Sequence, residues 1–163
     1  MGLDHTDFLL IDALQHDAAQ RLEDLARVVQ LAPSSVYERL RRLERDGVIQ
    51  RWTVDLDAAA LGLSVLAYIG VRSTRPCSKL LPALEAIPAI EECYSVAGEL
   101  SLLLKVRVPG TPALLELAEQ LRQIPGVEGT ETTIVLKTQI DRPIALPKPV
   151  LPKRAKARGA EAT

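Results

Sequence analysis

A chain of 163 residues has room for one compact domain or two small ones, and its 47% apolar content supplies a sizeable core. Only 3% of the residues are aromatic, so that core is aliphatic, which argues against the ring-stacking platforms that bind single-stranded nucleic acids. The formal net charge of −1 does not mark a nucleic-acid binder, but the charge is unevenly placed. Residues 1–60 carry seven Lys/Arg against eleven Asp/Glu, residues 61–141 seven against nine, and residues 142–163 six against one. In the first segment the acids come early (Asp4, Asp7, Asp12, Asp17, Glu23, Asp24) and the arginines late (Arg39, Arg41, Arg42, Arg45, Arg51). A local basic face can neutralise phosphates on an acidic body.

In chain order, Phe8, Leu9, Ile11, Ala13 and Leu14 predict a helix over Asp4–His16, capped by Asp4 or Thr6. Leu22, Leu25, Ala26 and Val29 predict a second over Ala19–Gln30. The run Leu31–Ser35 breaks the pattern, and Pro33 suits the first turn of a third helix. Ser35 and Glu38 have capping-box spacing, and Val36, Leu40 and Leu43 form a buried stripe. Gly47 stops this helix, and Val48–Leu56 alternates as a short β-wing. Residues 22–49 therefore read as a helix-turn-helix leading into a wing. The plainer alternative is an αα-hairpin whose arginines form a solvated face.

On a groove-reading helix the N-terminal side chains approach base edges, which selects Ser34, Ser35, Tyr37 and Glu38. Glu38 would accept from a cytosine amine, a use that competes with the capping box. Arg41, Arg42, Arg45 and the wing residue Arg51 suit phosphates, as do the backbone N–H groups of the helix start. Arg39 is open between phosphate contact and pairing with an acid inside the domain.

Beyond residue 64 the period changes. Strands are expected over Val65–Ser73, Ile90–Ala97, Leu100–Val108 and Val127–Ile140, and helices over Ser78–Ile87 and Thr111–Ile124. Pro82 falls in the first turn of one helix and Pro112 at the start of the other. The order βαββαβ is that of a ferredoxin-like fold, with helices on one face of the sheet. The other face, expected to be rich in Leu and Val, needs a cover, for which a second copy of the chain is the natural choice. The fold class is thus α+β: a winged helix-turn-helix DNA-binding domain over 1–57, a linker over 58–64, a βαββαβ oligomerisation domain over 65–141, and a disordered basic tail over 142–163.

The run LDHTDFLLIDALQHDA, followed by LEDLARVVQLAPSSVYERLRRLERDGVIQRWTVDLDAAALG, resembles the DNA-binding half of the Lrp/AsnC (feast/famine) transcription regulators. VAGELSLLLKV at 96–106 and LRQIPGVEGTETTIVLKT at 121–138 resemble their sensing half. The resemblance spans roughly residues 3–141. It implies double-stranded DNA as partner, a homo-oligomer that is a dimer or an octamer of dimers, and an amino-acid effector at subunit interfaces. It also implies an effector loop at Gly98, Glu99 and Ser101, where this chain has Ser101 in place of the family's amine-binding Asp. Glu99 would then take over the pairing; the alternative is an ordinary hairpin turn. Thr130, Thr132 and Thr133 are candidate hydroxyl donors to the same cleft, their alternative being simple strand propensity. Ala32 and Glu38 also differ from the family pattern, and Ser34 or Ser35 is the substitute cap for Ala32.

Other chemistry finds little support. His5 and His16 have no acid or nucleophile arranged around them, and Cys77 and Cys93 form no CxxC and read as reduced thiols. No cofactor, metal or enzymatic activity is expected. The rival readings are an effector-independent architectural DNA-binding protein and, more remotely, an enzyme similar to sirohaem decarboxylases. With no leader-like or membrane-spanning run, a cytoplasmic location is expected.

Overall fold

In the computed structural model, which describes residues 2–147, Asp4 opens the first helix, α1 (His5–His16). Its carboxylate accepts the Asp7 N–H, and the Asp7 carboxylate accepts the Asp4 N–H, both at 2.9 Å. This reciprocal box satisfies two amides that the first turn would otherwise leave without partners.

The second helix, α2 (Leu22–Val29), ends where Gln30 takes the left-handed conformation, with φ of 55°. The third, α3 (Pro33–Arg45), has Ala32 at its N-cap and no side-chain cap. The expected Ser35–Glu38 box does not form, and neither serine substitutes for the missing cap. Both lie inside the helix, and the Ser35 N–H already bonds the Ala32 carbonyl at 3.0 Å.

At the other end of α3 the Val48 N–H reaches the Leu43 carbonyl and the Gly47 N–H that of Glu44, each at 2.9 Å. That is a Schellman turn, and Gly47 occupies its left-handed position at φ 72°. Gly47→Ala is expected to cost this unit about 1 kcal/mol through that conformation, read as a lower urea midpoint; an unchanged midpoint would count against the turn.

Leu10, Leu25, Ala26 and Val36 form the centre of this three-helix unit, with Ala13, Leu14, Leu22, Val29 and Leu40 packed around them. The expected β-wing is absent: residues 48–57 form no strand. A lone extended segment has no ladder partner here, and the Trp52 indole instead donates to Glu44 Oε1 at 2.5 Å. Val54 and Leu56 remain exposed.

The chain divides into two compact units, residues 2–54 with 142–147, and residues 55–141. The second unit runs β1 (Val65–Ser73), α4 (Leu81–Glu85), β2 (Ile90–Ser95), β3 (Leu102–Val108), α5 (Thr111–Arg122) and β4 (Val127–Ile134). Its sheet has strand order β2-β3-β1-β4 with every pair antiparallel. The helix expected over Ser78–Ile87 is divided into a 3-10 turn at Cys77–Lys79 and the short α4. Pro82 has no N–H to bond the Ser78 carbonyl, so an α-helix cannot run through. The last strand stops at Ile134 rather than Ile140. Its partner β1 begins at Val65, and the final cross-strand bond runs from the Val135 N–H to the Leu66 carbonyl at 2.9 Å.

One face of the sheet packs on α4 and α5. Ala67, Ile69, Val71, Leu102, Leu104, Val106 and Val108 meet Leu84, Leu114, Leu117 and Leu121 there. Register places Leu66, Tyr68, Leu103, Lys105 and Arg107 on the other face. The expected Leu/Val-rich open face is thus corrected: those residues point to the helices, and the open face is mixed and charged. A register shift between Ile90 and Glu92 accompanies the approach of two adjacent glutamates to one lysine. Arg107 Nε lies 2.5 Å from Glu91, and Lys105 Nζ lies 3.4 Å from Glu91 and 2.9 Å from Glu92. The hydrogen bond that Lys105 donates to Glu92 is the main cause that raises the Lys105 pKa above its ordinary value.

Of the expected disordered tail, residues 142–147 belong to the helical unit, where Gln15 Nε2 donates to the Ile144 carbonyl at 3.1 Å. The remainder, 148–163, lies outside the described residues.

Candidate nucleic-acid interface

Helical periodicity sorts the side chains of α3 by role. Ser34, Glu38, Arg41 and Arg45 recur at i, i+4, i+7 and i+11, which forms one stripe, and Ser35 and Tyr37 flank it. All six are exposed, and they lie opposite Val36, Leu40 and Leu43. Arg41 has no ion-pair partner among the described residues, and Arg45 makes only a loose 3.6 Å contact with Asp46. Arg51 is exposed in the segment after the helix.

Arg42 departs from the expectation of phosphate contact. Its Nη2 donates to both oxygens of Asp7, at 2.5 and 2.6 Å. Asp7 is fully buried, so this guanidinium is committed inside the domain. Arg39 makes the same choice: its Nη1 reaches Asp7 at 2.9 Å and Asp4 at 2.7 Å. On the helix wheel Arg42 lies on the same flank of the stripe as Ser35, seven residues before it, and Arg39 lies further round; both side chains are turned to α1 by these bonds. Burial works to raise the Asp4 pKa, but the Asp7 N–H and Arg39 outweigh it and hold the carboxyl below its ordinary value.

Asp7, which fixes the two arginines inside the domain, is the residue that the sequence reading missed. A signal was present: Asp7, Leu10 and Leu14 recur at i, i+3 and i+7, which places an acid in the buried stripe of α1. A buried carboxylate requires a cationic partner.

In the second unit, Gly98 has φ of 133°, and both it and Glu99 are exposed in the turn between β2 and β3. Ser101 is not a free donor in that turn. Its Oγ accepts the Ser73 N–H at 3.2 Å and lies 3.4 Å from the Ser73 carbonyl, which ties the loop to the end of β1. Leu100 lies over Gly70, where a Cβ would come within 2.6 Å of its Cδ1. The three threonines do not share a cleft. Thr130 pairs with Val71 and Thr132 with Ile69, on the helix side of the sheet, while Thr133 pairs with Tyr68 on the open side. Adjacent strand residues point to opposite faces, so Thr133 could not have joined its neighbour.

A solvent-facing second helix of a helix-turn-helix, bearing small polar residues near its start and arginines further along, joined in one chain to a βαββαβ unit, defines a class of DNA-binding transcriptional regulators. An AsnC-type helix-turn-helix domain matches residues 3–44, and an Lrp/AsnC ligand binding domain matches residues 66–144. The chain belongs to the Lrp/AsnC family. It is 37% identical over 137 residues to the HTH-type transcriptional regulator FL11 of Pyrococcus horikoshii, covering 83% of this chain and 91% of that one. It is 34% identical over 140 residues to the leucine-responsive regulatory protein of Escherichia coli K12, covering 83% of this chain and 85% of that one. A feast or famine regulatory protein from M. tuberculosis, solved in complex with L-methionine, superimposes with a TM-score of 0.82 at 36% identity, covering 90% of this chain and all of that one. Residues 145–163 lie beyond both matched domains. Among the described residues no helix is long and apolar enough to cross a membrane.

Proposed function

We propose that α3 reads the major groove of a specific DNA site, with Ser34, Ser35, Tyr37 and Glu38 toward base edges and Arg41, Arg45 and Arg51 toward phosphates. The exposed stripe opposite the buried Val36, Leu40 and Leu43 is the observation that carries this reading. The uncapped start of α3 adds backbone N–H groups for a phosphate. The chain acts in the cytoplasm as a symmetric homo-oligomer without catalytic activity, and symmetry sets half-sites about one or two helical turns apart. Selection of bound genomic fragments tests this: enrichment of a pseudo-palindrome supports it, and uniform recovery of sequences refutes it.

The sensing half takes a small amino acid as effector, in keeping with the L-methionine complex of the related M. tuberculosis protein. Here Glu99 and the exposed backbone at Gly98 serve the ligand, since Ser101 is occupied by Ser73. Effector binding shifts the population of oligomeric arrangements and so respaces the reading helices. A calorimetric titration with the common amino acids is expected to give heat with at least one, and Glu99→Gln is expected to weaken that response. Silence across the panel would favour the second reading, an effector-independent architectural protein, which the occupied Ser101 hydroxyl supports.

A further inference from the structure

Past α3 the backbone is tied to the helical unit only as far as Ile49, whose N–H bonds the Leu43 carbonyl at 3.1 Å. Residues 50–54 form no strand, and among the described residues none of their backbone groups bonds a distant part of the chain. One side chain takes over. The Trp52 indole N–H donates to Glu44 Oε1 at 2.5 Å, on the last turn of α3. The Trp52 ring is half exposed and lines the same two clefts as Ala18, just beyond α1. Its chain neighbour Arg51 is exposed and has no ion-pair or hydrogen-bond partner among the described residues.

We propose that Trp52 is a positioning residue for DNA binding: its bond to Glu44 clips the stretch after α3 to the end of that helix and holds Arg51 where it meets a phosphate. The inference rests on the phosphate role proposed above for Arg51 and deepens it. Three observations favour it. A paired wing would fix such a residue through its ladder, and residues 48–57 have no ladder. The acceptor is a carboxylate, which makes a stronger bond than a neutral oxygen, and it sits on the helix that carries Arg41 and Arg45. Arg51 also lies between two anchors, Ile49 and Trp52, so its backbone has little freedom left.

The clip matters because of when the stretch is ordered. A free segment loses its conformational entropy at the moment of binding, which weakens each contact it makes. A stretch held beforehand has lost that freedom on folding, so the phosphate contact of Arg51 is made at little further cost.

The test measures binding of the full chain to a random-sequence duplex from 50 to 200 mM salt. Each phosphate contact contributes about 0.9 to the slope of log affinity against log salt. Arg51→Ala is expected to lower the slope by that amount. Trp52→Phe keeps an apolar ring but has no N–H to donate, and it is expected to lower the slope equally. The advantage of the native chain over either variant then shrinks about threefold across the range. The double variant is expected to fall no further than the singles, because both remove one contact. Glu44→Gln and Glu44→Ala make the same change of charge, but only glutamine keeps an acceptor for the indole. The glutamine variant is therefore expected to hold the steeper slope, by about 0.9. A circular dichroism melt of each variant separates loss of contact from loss of fold. If Arg51→Ala lowers the slope while Trp52→Phe leaves it unchanged, the clip fails and the Arg51 contact stands. A double variant that loses the sum of the two singles also overturns the clip, since Trp52 then acts apart from Arg51. If neither single variant moves the slope, the phosphate role of Arg51 fails and the clip with it. The reading helix is judged separately, by Arg41→Ala with Arg45→Ala.

Discussion

Asp7→Ala is expected to destabilise the helical unit by about 3 kcal/mol, the lower end of the range for removing one partner of a buried ion pair. The substitution deletes one small side chain, but it takes from Arg42 the carboxylate it pairs with and leaves Arg39 with Asp4 alone. Arg39 and Arg42 both aim at the fully buried Asp7, and their side chains are only 27% exposed. It also removes the acceptor for the Asp4 N–H at the start of α1. A small domain has about 5–15 kcal/mol in total, so the loss is a large share of its stability. Urea unfolding followed by circular dichroism measures it, and a change under about 1 kcal/mol would show the cluster to be dispensable. Changing all three together, Asp7→Leu with Arg39→Met and Arg42→Met, is expected to recover most of the loss, because no buried charge is then left unpaired.

The second large effect is on DNA. Arg41→Ala with Arg45→Ala is expected to leave stability within about 0.5 kcal/mol, since both residues lie on the exposed stripe. The contact between Arg45 and Asp46 is too exposed to matter much. Binding to any duplex should weaken, and the salt slope should flatten by about 2 as two phosphate contacts disappear. Arg42→Ala is the contrasting variant: it should lower the unfolding midpoint. A stable Arg42→Ala protein with a flattened slope would reverse the roles assigned to these arginines.

That contrast locates the limit of the sequence reading. Apolar periodicity made the helices and strands legible, because burial of one face imposes a period of 3.6 or 2 on the residues that line it. It placed α1, α3, β1 and α5 close to their observed spans. Periodicity says which side of a helix is buried but not what lies across from it. Arg42 is adjacent to Arg41 in the chain, yet its partner is 35 residues upstream. Alternation alone parts Thr133 from Thr132, but only the pairing of Thr132 with Ile69 and of Thr133 with Tyr68 says which faces the helices and which the open side. Val48–Leu56 alternates as a strand should, but alternation cannot supply the second strand that a ladder needs. Ser101 was readable as a missing carboxylate; its bond to Ser73 required the loop and the end of β1 to be seen together.

The strand order β2-β3-β1-β4 leaves two edges, and both are acidic. Glu91 and Glu92 lie on β2, and Glu128 and Glu131 on β4. Edge strands offer unpaired backbone groups to any passing copy of themselves, which is how sheets grow into fibres. Two copies brought edge to edge here would set glutamate against glutamate along the new seam. Charge at both edges thus works against open-ended extension of the sheet through its strands.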